Sequence, residues 1–380
     1  MMFCNWARRD CIIQKREGVV KEIVRQRPGF SELMVDINGE KARAVNYDSL
    51  TGPVFPGDCV VLNTTAVKLG LGTGGVHFVC FNYSLAGGEL NGSGHIMKMR
   101  YTPYQLPVLS CEEEEAIGQG LNRYQQLSEK TPVIIGELHS MLAPAAIALK
   151  RIAPELRIGY IMTDTAALPL SFSRGVHALK QRNYIQHTVT SGQSFGGDLE
   201  AINVYTGLIA LVQVLRMDVV IITPGPGVTG SNTTYGFSGI EVGENVNRVS
   251  SLGGTPLVIP RLTFKDTRQR HCGLSHHTLT ALSVAAHRPA LFPLPPMRSE
   301  EMKRVTRQLT AYGIFDKHLV CSVLLPQNLE PEILLQNEQE HVEFSSMGRD
   351  LAEDPLFFAS PVAVACLAGS RFCVRKLAGK

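Results

Sequence analysis

One short motif in the sequence is typical of nucleophilic catalysis. Gly192-Gln193-Ser194-Phe195-Gly196 has the form G-x-S-x-G, which in α/β-hydrolases makes a tight turn that exposes the serine hydroxyl. The backbone N–H of Phe195 would then help to hold an oxyanion. The alternative is a glycine-rich strand–helix turn in which Asp198 caps the next helix. The motif predicts Ser194 as a nucleophile, and the residues of this turn predicted to bind ligand are Gly192, Phe195, Gly196, Gly197 and Asp198.

A serine nucleophile needs a base and an acid that orients the base. We predict His276 as the base and Asp266 as the acid, with His277 as a further catalytic candidate. Only five residues separate Asp266 from His271, whereas hydrolases usually place another strand between the acid and the histidine. The chain therefore departs from the hydrolase pattern in the part that would support it most.

The two adjacent histidines are predicted to begin a helix that Ser275 caps. A helix N-terminus disfavours the imidazolium, so a neutral imidazole there could act as a base, a hydrogen-bond acceptor or a metal ligand. Because adjacent helical residues point about 100° apart, only one of the two is expected to face the site. Three nearby arginines, Arg261, Arg268 and Arg270, either clamp an anionic group or form a solvated basic loop, and His271 and Ser275 beside them are also predicted to bind the ligand.

A second glycine-rich stretch begins at Pro224 and continues to Gly236. Its first glycines have the spacing G-x-G-x-x-G, but the loop runs well past them before a helix starts. Converging backbone N–H groups and hydroxyls could bind phosphate or carboxylate, and an ordered surface loop is the alternative. The residues predicted to bind the ligand are Gly225, Gly227, Gly230, Ser231 and Thr233.

A divalent metal is the one cofactor that the residues bring into consideration. His139, Asp164 and Asp198 are the candidate ligands, and His139 and Asp164 are also catalytic candidates. Glu137 and His276 could complete a nitrogen and oxygen ligand set. Because the chain has no H-E-x-x-H or comparable spacing, the sequence leaves the identity of any cofactor open.

These residues need elements to position them, and the chain from Thr131 onward alternates between strand-length apolar runs and helical stretches. The runs do not alternate in polarity, which is typical of parallel strands buried on both faces. The predicted strands are Val133–Leu138, Ile158–Met162, Thr188–Thr190, Val219–Thr223, Leu257–Pro260 and Leu319–Leu325. The predicted helices are Ala143–Ile152, Phe172–Arg182, Leu199–Leu215, Val242–Leu252, Thr278–His287 and Glu300–Tyr312. In such sheets, ligands bind at the carboxyl ends of the strands, where the polar loops above fall.

The earlier part of the chain reads as short β-strands, with Asn38-Gly39 as a strong hairpin signal. We predict a small β-barrel domain over residues 1–105, a linker helix over 106–130 and a doubly wound, mostly parallel α/β domain over 131–380. The fold class is therefore α/β with a small N-terminal β-barrel.

Composition limits the function classes. The 380 residues carry a net charge of only +3, which gives no reason to expect a nucleic-acid partner. Hydrophobic residues make up 44% of the chain, which excludes a largely disordered protein, and no apolar run approaches the ~20 residues of a membrane span. Nine cysteines without a C-x-x-C favour reduced thiols and a cytoplasmic location. A homo-oligomer is an open expectation.

Beyond these motifs, the chain resembles a bacterial family known as domain of unknown function 3866, from about Gly18 to Ala368. The resemblance implies a bacterial, cytoplasmic protein with a β-rich N-terminal part, and it carries over no catalytic residue. The stretches that carry it are Thr73–Val79, Gly94–Gln105, Gly192–Asn203, Gly225–Glu244, Arg270–Leu282 and Ser346–Pro355.

Three functions therefore remain open. The first is an enzyme acting on a small anionic or acyl substrate at the carboxyl edge of the sheet, most simply a hydrolase with Ser194 as nucleophile. The second is a metal- or phosphate-dependent enzyme that uses the Gly225–Gly230 loop. The third is a non-catalytic sensor that binds a metabolite.

Overall fold

The structure, a computed structural model, describes residues 12–72, 74–85, 87, 94–113, 117, 120–121, 126–127, 131–336 and 342–378. The chain divides into two compact units, residues 1–92 with 101–106 and residues 93–100 with 107–380. Residues 93–100 thus group with the second unit, whereas the sequence analysis assigns them to the barrel. The predicted linker helix lies largely outside the described residues.

The first unit contains a closed five-stranded barrel with the strand order β1-β2-β3-β5-β4, which confirms the predicted N-terminal barrel. Asn38 and Gly39 both have positive φ angles, 54° and 89°, and connect β2 to β3 as the hairpin signal predicts. Buried aliphatic side chains such as Leu33, Val60 and Leu62 fill the interior. The elements are β1 (Lys15–Arg27), β2 (Phe30–Ile37), β3 (Glu40–Tyr47), α1 (Asp48–Thr51), β4 (Cys59–Asn63), α2 (Thr65–Lys68) and β5 (His77–Asn82).

After β5 the chain forms fourteen further strands and nine further α-helices in the described residues. The strands are β6 (Ile96–Lys98), β7 (Leu106–Val108), β8 (Pro132–Ile135), β9 (Ile158–Thr163), β10 (His187–Ser191), β11 (Leu199–Ala201), β12 (Val219–Pro224), β13 (Thr255–Val258), β14 (Leu262–Thr263), β15 (Gly273–Leu274), β16 (Leu291–Leu294), β17 (Leu319–Ser322), β18 (Ser345–Ser346) and β19 (Arg349–Asp350). The α-helices are α3 (Leu142–Ile152), α4 (Arg174–Gln181), α5 (Val204–Ile209), α6 (Glu241–Ser251), α7 (His276–Thr280), α8 (Ser299–Ala311), α9 (Ile314–Lys317), α10 (Pro331–Gln336) and α11 (Pro355–Ala378).

The second unit is built on one parallel sheet of eight strands in the order β11-β10-β9-β12-β8-β13-β16-β17, which confirms the predicted α/β class. Two of these strands are missing from the prediction. The stretch assigned to one helix, Leu199–Leu215, instead begins with β11, because the side chain of Asn203 accepts hydrogen bonds from the N–H groups of Tyr205 and Thr206 and starts the helix there. The other, β16, contains Pro293 and lacks the usual strand pattern.

Helices cover both faces of this sheet. Apolar residues of α3, α4 and α11 pack into one core, and those of α5, α6, α7 and α8 pack into the core on the other side. After β8 the chain continues to α3 on one face of the sheet, whereas after its sheet neighbours β12 and β13 it continues to α6 and α7 on the other face. The crevice at the carboxyl ends of these three strands is therefore a topological switch point, where doubly wound proteins bind ligands.

Within the described residues, no helix combines the length and the apolar character that crossing a membrane requires.

Candidate functional site

Three neighbouring strands direct polar side chains into the crevice at the switch point. Glu137 follows β8 by two residues, and Arg261 follows β13 by three. The long loop after β12 contributes Phe237. The helix α7 adds His276 and His277 at its N-terminus, where the Ser275 hydroxyl caps it by accepting the N–H of His277.

Glu137 is the buried anchor of this arrangement, with only 2% of its surface exposed. Its Oε1 lies 2.8 Å from Nη1 of Arg261 and 3.0 Å from Nδ1 of His277, and its Oε2 accepts the Thr278 hydroxyl at 2.9 Å. Burial alone would raise the pKa of Glu137, but the charge of Arg261 and the contact with His277 outweigh it and lower the pKa to about 2. Glu137 is therefore an ionised acceptor at neutral pH.

Three histidines meet beside Glu137, and we call His271, His276 and His277 the histidine cluster. One ring nitrogen from each lies within 4.8 Å of those of the other two. The ring centroids of His276 and His277 are 4.4 Å apart, so both adjacent residues face the site and the expectation that only one would do so is wrong. The helical 100° offset sets the Cα–Cβ directions, and the side-chain torsions bring the rings back together.

The hydrogen bonds of the cluster determine which ring nitrogens are free. Glu137 can only accept, so Nδ1 of His277 carries the proton and donates it, and the 3.3 Å approach of Arg261 to the same atom is not its hydrogen bond. The Nε2 atoms of His276 and His277 are buried and have no hydrogen-bond partner in the described part of the chain. These two nitrogens are thus the atoms of the cluster that a ligand could contact.

His271 completes the cluster with a different set of partners. Its Nδ1 lies 2.8 Å from the Ser275 hydroxyl, and its Nε2 accepts a long 3.3 Å bond from Nε of Arg270. Burial, reinforced by the charge of Arg261, lowers the pKa of His271 to about 3. Burial and the neighbouring His277 lower the pKa of His276 to about 4. Both rings are therefore neutral and able to coordinate a cation at neutral pH.

Aromatic stacking and one glycine hold His277 in place. The Phe237 ring stacks on it with centroids 3.9 Å apart and an interplanar angle of 2°. A Cβ atom on Gly230 would lie 3.2 Å from Cε1 of His277 and 3.6 Å from its Nε2, so the absence of a side chain lets the loop approach the ring. Phe237 is absent from the predicted site, and its position at the end of the glycine-rich loop was the only sequence signal.

In the glycine-rich loop, several of the predicted donors bond within the loop itself. The N–H of Ser231 donates to the carbonyl of Gly236, and the N–H of Thr233 donates to the Ser231 hydroxyl. The Ser231 and Thr233 hydroxyls lie 2.8 Å apart in the same turn. Gly225 is buried and Gly227 is exposed with a positive φ angle of 103°. The loop reaches the cluster through Gly230 and through Asn232, which accepts a hydrogen bond from Arg270.

The predicted triad does not assemble. Ser194 is fully buried, and its hydroxyl donates to the carbonyls of Thr163 and Ala166, 3.2 Å from each, with no histidine among its partners in the described residues. The N–H of Phe195, expected to hold an oxyanion, points to the carbonyl of Leu168 at 3.4 Å. The motif therefore lacks the hydrogen bonds that a nucleophile elbow requires.

The turn around Ser194 connects two strands, and not a strand to a helix as the hydrolase pattern requires. β11 follows it, and Asp198 binds the N–H and hydroxyl of Thr188 at 2.8 and 3.0 Å instead of capping a helix. Gly192 has a φ of 67°, and a Cβ there would collide with Asp164, whose carboxylate accepts the N–H of Gln193. The loop N–H groups of Gly196 and Gly197 donate to Glu200 and Thr190.

The remaining candidates lie in separate contacts. Both oxygens of Asp266 bind the guanidinium of Arg268, at 2.9 and 2.7 Å, and this hydrogen bonding holds the pKa of Asp266 well below its usual range. His139 lies 2.6 Å from the Ser173 hydroxyl and 3.1 Å from the Pro224 carbonyl, and burial lowers its pKa to about 4. No three-ligand cluster forms from His139, Asp164 and Asp198, because across the described ranges only the three histidines make one.

Fold and site together define a doubly wound α/β protein with a histidine cluster at its switch point, joined to a small β-barrel. Residues 43–365 match the family described as protein of unknown function DUF3866, and the chain belongs to that family. The comparison with curated proteins gives no match.

Proposed function

We propose that this protein is a metal-dependent enzyme whose divalent transition metal, Zn²⁺ in the first instance, is held by His271, His276 and His277. The observation that carries this proposal is the convergence of three imidazoles within 4.8 Å, two of them with buried Nε2 atoms that have no partner among the described residues. Leaving such atoms without a partner costs about 1–3 kcal/mol each, which a bound cation would recover.

The donor set favours zinc chemistry. Three imidazoles and one open position are a recurring arrangement in catalytic zinc sites, where the metal lowers the pKa of a bound water to about 7. Tetrahedral nitrogen ligands at such a metal are about 3.4 Å apart, so the three ring nitrogens would need to close by at most about 1.4 Å. The reaction we propose is hydrolysis of a small substrate bound at the carboxyl edge of the sheet.

The protein groups around the cluster support that assignment. A metal-bound histidine usually donates its second N–H to a carboxylate, which fixes the ring and raises its basicity. Glu137 accepts that proton from His277 at 3.0 Å, and Arg261 keeps the carboxylate ionised. Glu137 is thus a positioning residue for the proposed ligand.

Metal content tests the site directly. Protein stripped with a chelator is titrated with Zn²⁺ in a calorimeter, and bound metal is counted by mass spectrometry. We expect one Zn²⁺ per chain, and loss of at least tenfold in affinity for His276→Ala and His277→Ala. His177→Ala, a half-buried histidine on α4, is the matched control and should bind as the wild type does. A wild type that binds no divalent transition metal would refute the proposal.

Turnover separates this mechanism from the serine hypothesis. Panels of carboxylic and phosphoric esters are assayed before and after chelation, and in the Ser194→Ala variant. The metal proposal expects chelation to abolish hydrolysis and Ser194→Ala to retain it, since that hydroxyl is buried on two carbonyls. Activity that survives chelation but is lost in Ser194→Ala would support the serine nucleophile instead.

A further inference from the structure

Three arginines surround the histidine cluster, and two of them are already neutralised. Arg261 pairs with Glu137 at 2.8 Å, and Arg268 pairs with Asp266 at 2.7 Å. Arg270 is different: its partners are the neutral oxygen of Asn232 and the neutral Nε2 of His271. In the part of the chain that the structure describes, no carboxylate pairs with Arg270. One positive charge at the cluster is therefore uncompensated.

We propose that Arg270 binds the anionic group of the substrate, so that the natural substrate carries a carboxylate or phosphate oxyanion next to the bond that is broken. This inference rests on the proposed metal site. A divalent metal adds two further positive charges to the uncompensated one, and an anion is the chemistry that balances them. The planar guanidinium fork matches the two oxygens of a carboxylate or phosphate.

The geometry of Arg270 fits that role because metal binding would release it. Asn232 holds one end of the guanidinium, through Nη1. At the other end, Nε of Arg270 donates a weak hydrogen bond of 3.3 Å to Nε2 of His271. This Nε2 is the nitrogen of His271 that would bind a metal, because Nδ1 of the same ring faces the Ser275 hydroxyl. If Nε2 of His271 held a metal, this N–H of Arg270 would lose its acceptor and would be available to an anion.

The position of Arg270 is partly buried, which strengthens its attraction for an anion relative to an exposed arginine. The loop from Ser231 to Gly236 is closed by its own hydrogen bonds and so presents Asn232 on an ordered turn.

Anion binding to the zinc-loaded protein tests the inference. Inorganic phosphate and succinate are titrated separately in a calorimeter, with the zinc content measured before and after. We expect at least one of them to bind, and Arg270→Gln to weaken that binding tenfold or more. Arg270→Lys keeps the charge but loses the fork, and it should fall between the two. The anion that binds more tightly identifies the class of oxyanion in the substrate.

Arg304→Gln is the matched control, because Arg304 is a partly buried arginine of α8 that contacts Gln269 in the same loop. It should change anion affinity less than twofold. Two outcomes would refute the inference while the metal site stands, provided that the wild type and Arg270→Gln bind Zn²⁺ equally well. In the first, both proteins bind the anions with equal affinity, and in the second, neither protein binds either anion. Absence of zinc binding in the wild type would instead refute the metal site itself.

Discussion

Nδ1 of His277 lies 3.0 Å from Oε1 of Glu137, although 140 residues separate them in the chain. The two meet because β8, which Glu137 follows, neighbours β13 in the sheet, and the segment after β13 leads to α7, whose first turn contains His277. This contact leaves Nε2 of His277 as the free nitrogen of the ring.

Glu137→Gln should weaken zinc binding by about 10- to 100-fold, because an amide cannot accept the His277 proton as strongly as a carboxylate. Zinc titration by calorimetry measures the change. Asp354→Asn is the matched control, since Asp354 is also buried and paired with an arginine, Arg349 at 3.0 Å, but does not contact the cluster. Equal zinc affinities for wild type and Glu137→Gln would contradict the positioning role.

Gly230→Ala should weaken zinc binding about tenfold while leaving the fold intact. The added methyl would stand 3.6 Å from Nε2 of His277, next to the position proposed for the metal. Because Gly230 is exposed, the free energy of unfolding should change by less than about 1 kcal/mol. Gly175→Ala on α4, where the methyl would meet only Ser173 at 3.8 Å, should leave zinc affinity unchanged. Undiminished zinc affinity in Gly230→Ala would place the metal elsewhere.

Lys98→Met should lower the free energy of unfolding by about 3–5 kcal/mol, because it leaves a buried carboxylate without its cation. Lys98 is 1% exposed and donates to Glu200 at 2.6 Å and to the carbonyls of Thr190 and Ser194 at 2.9 and 2.5 Å. Urea unfolding of Lys98→Met, Glu200→Gln and the double variant measures the coupling, and purely additive losses would contradict the pairing. Lys180→Met removes the half-exposed pair with Asp198 and should cost less than about 1 kcal/mol.

Glu241→Gln should change the pH dependence of stability. Burial, with Asp164 and Glu244 adding to it, raises the pKa of Glu241 from 4.5 to about 7. The folded state therefore holds this proton more tightly than the unfolded chain, and wild-type stability is lost between pH 4.5 and 7 as the group ionises. Relative to the wild type, Glu241→Gln should gain on the order of 1–3 kcal/mol over that interval.

Urea unfolding at pH 4.5 and pH 8 checks the pH prediction. Glu300→Gln is its control, because Glu300 is exposed on α8, pairs with Lys303 at 2.6 Å and does not act on Glu241. That variant should track the wild type at both pH values. A stability difference between Glu241→Gln and wild type that stays constant with pH would show that Glu241 does not ionise in this interval.

Most of the fold was predictable because its signals are local. Runs such as Val219–Thr223 are apolar on both faces, as parallel strands must be, and Asn38-Gly39 suits only a tight hairpin. The two missed strands, β11 and β16, are short and lack such a pattern. The polar loops predicted at the strand ends include the region of His276 and His277, where the structure brings the histidines together with Glu137.

The site was predictable only in parts. The hydrolase interpretation of Ser194 depended on a helix directly after the turn, but β11 follows the turn instead. Asp198 accepts a hydrogen bond from Thr188 in the neighbouring strand, and the next helix, α5, starts only after Asn203. The acid for His276 was expected at Asp266, ten residues earlier in the sequence, but Asp266 pairs with Arg268. Glu137, which follows β8, is the carboxylate that contacts His277 instead.

The sequence by itself determined the barrel, the parallel α/β unit and the residue types that gather at the strand ends, because these depend on periodicity and turn chemistry within short segments. Only the tertiary structure decided which of those residues meet. The strand order places β8 between β12 and β13, and this brings Glu137, Phe237 and the three histidines into one crevice. Contacts between strands far apart in the chain depend on the packing of whole layers, which no local pattern encodes.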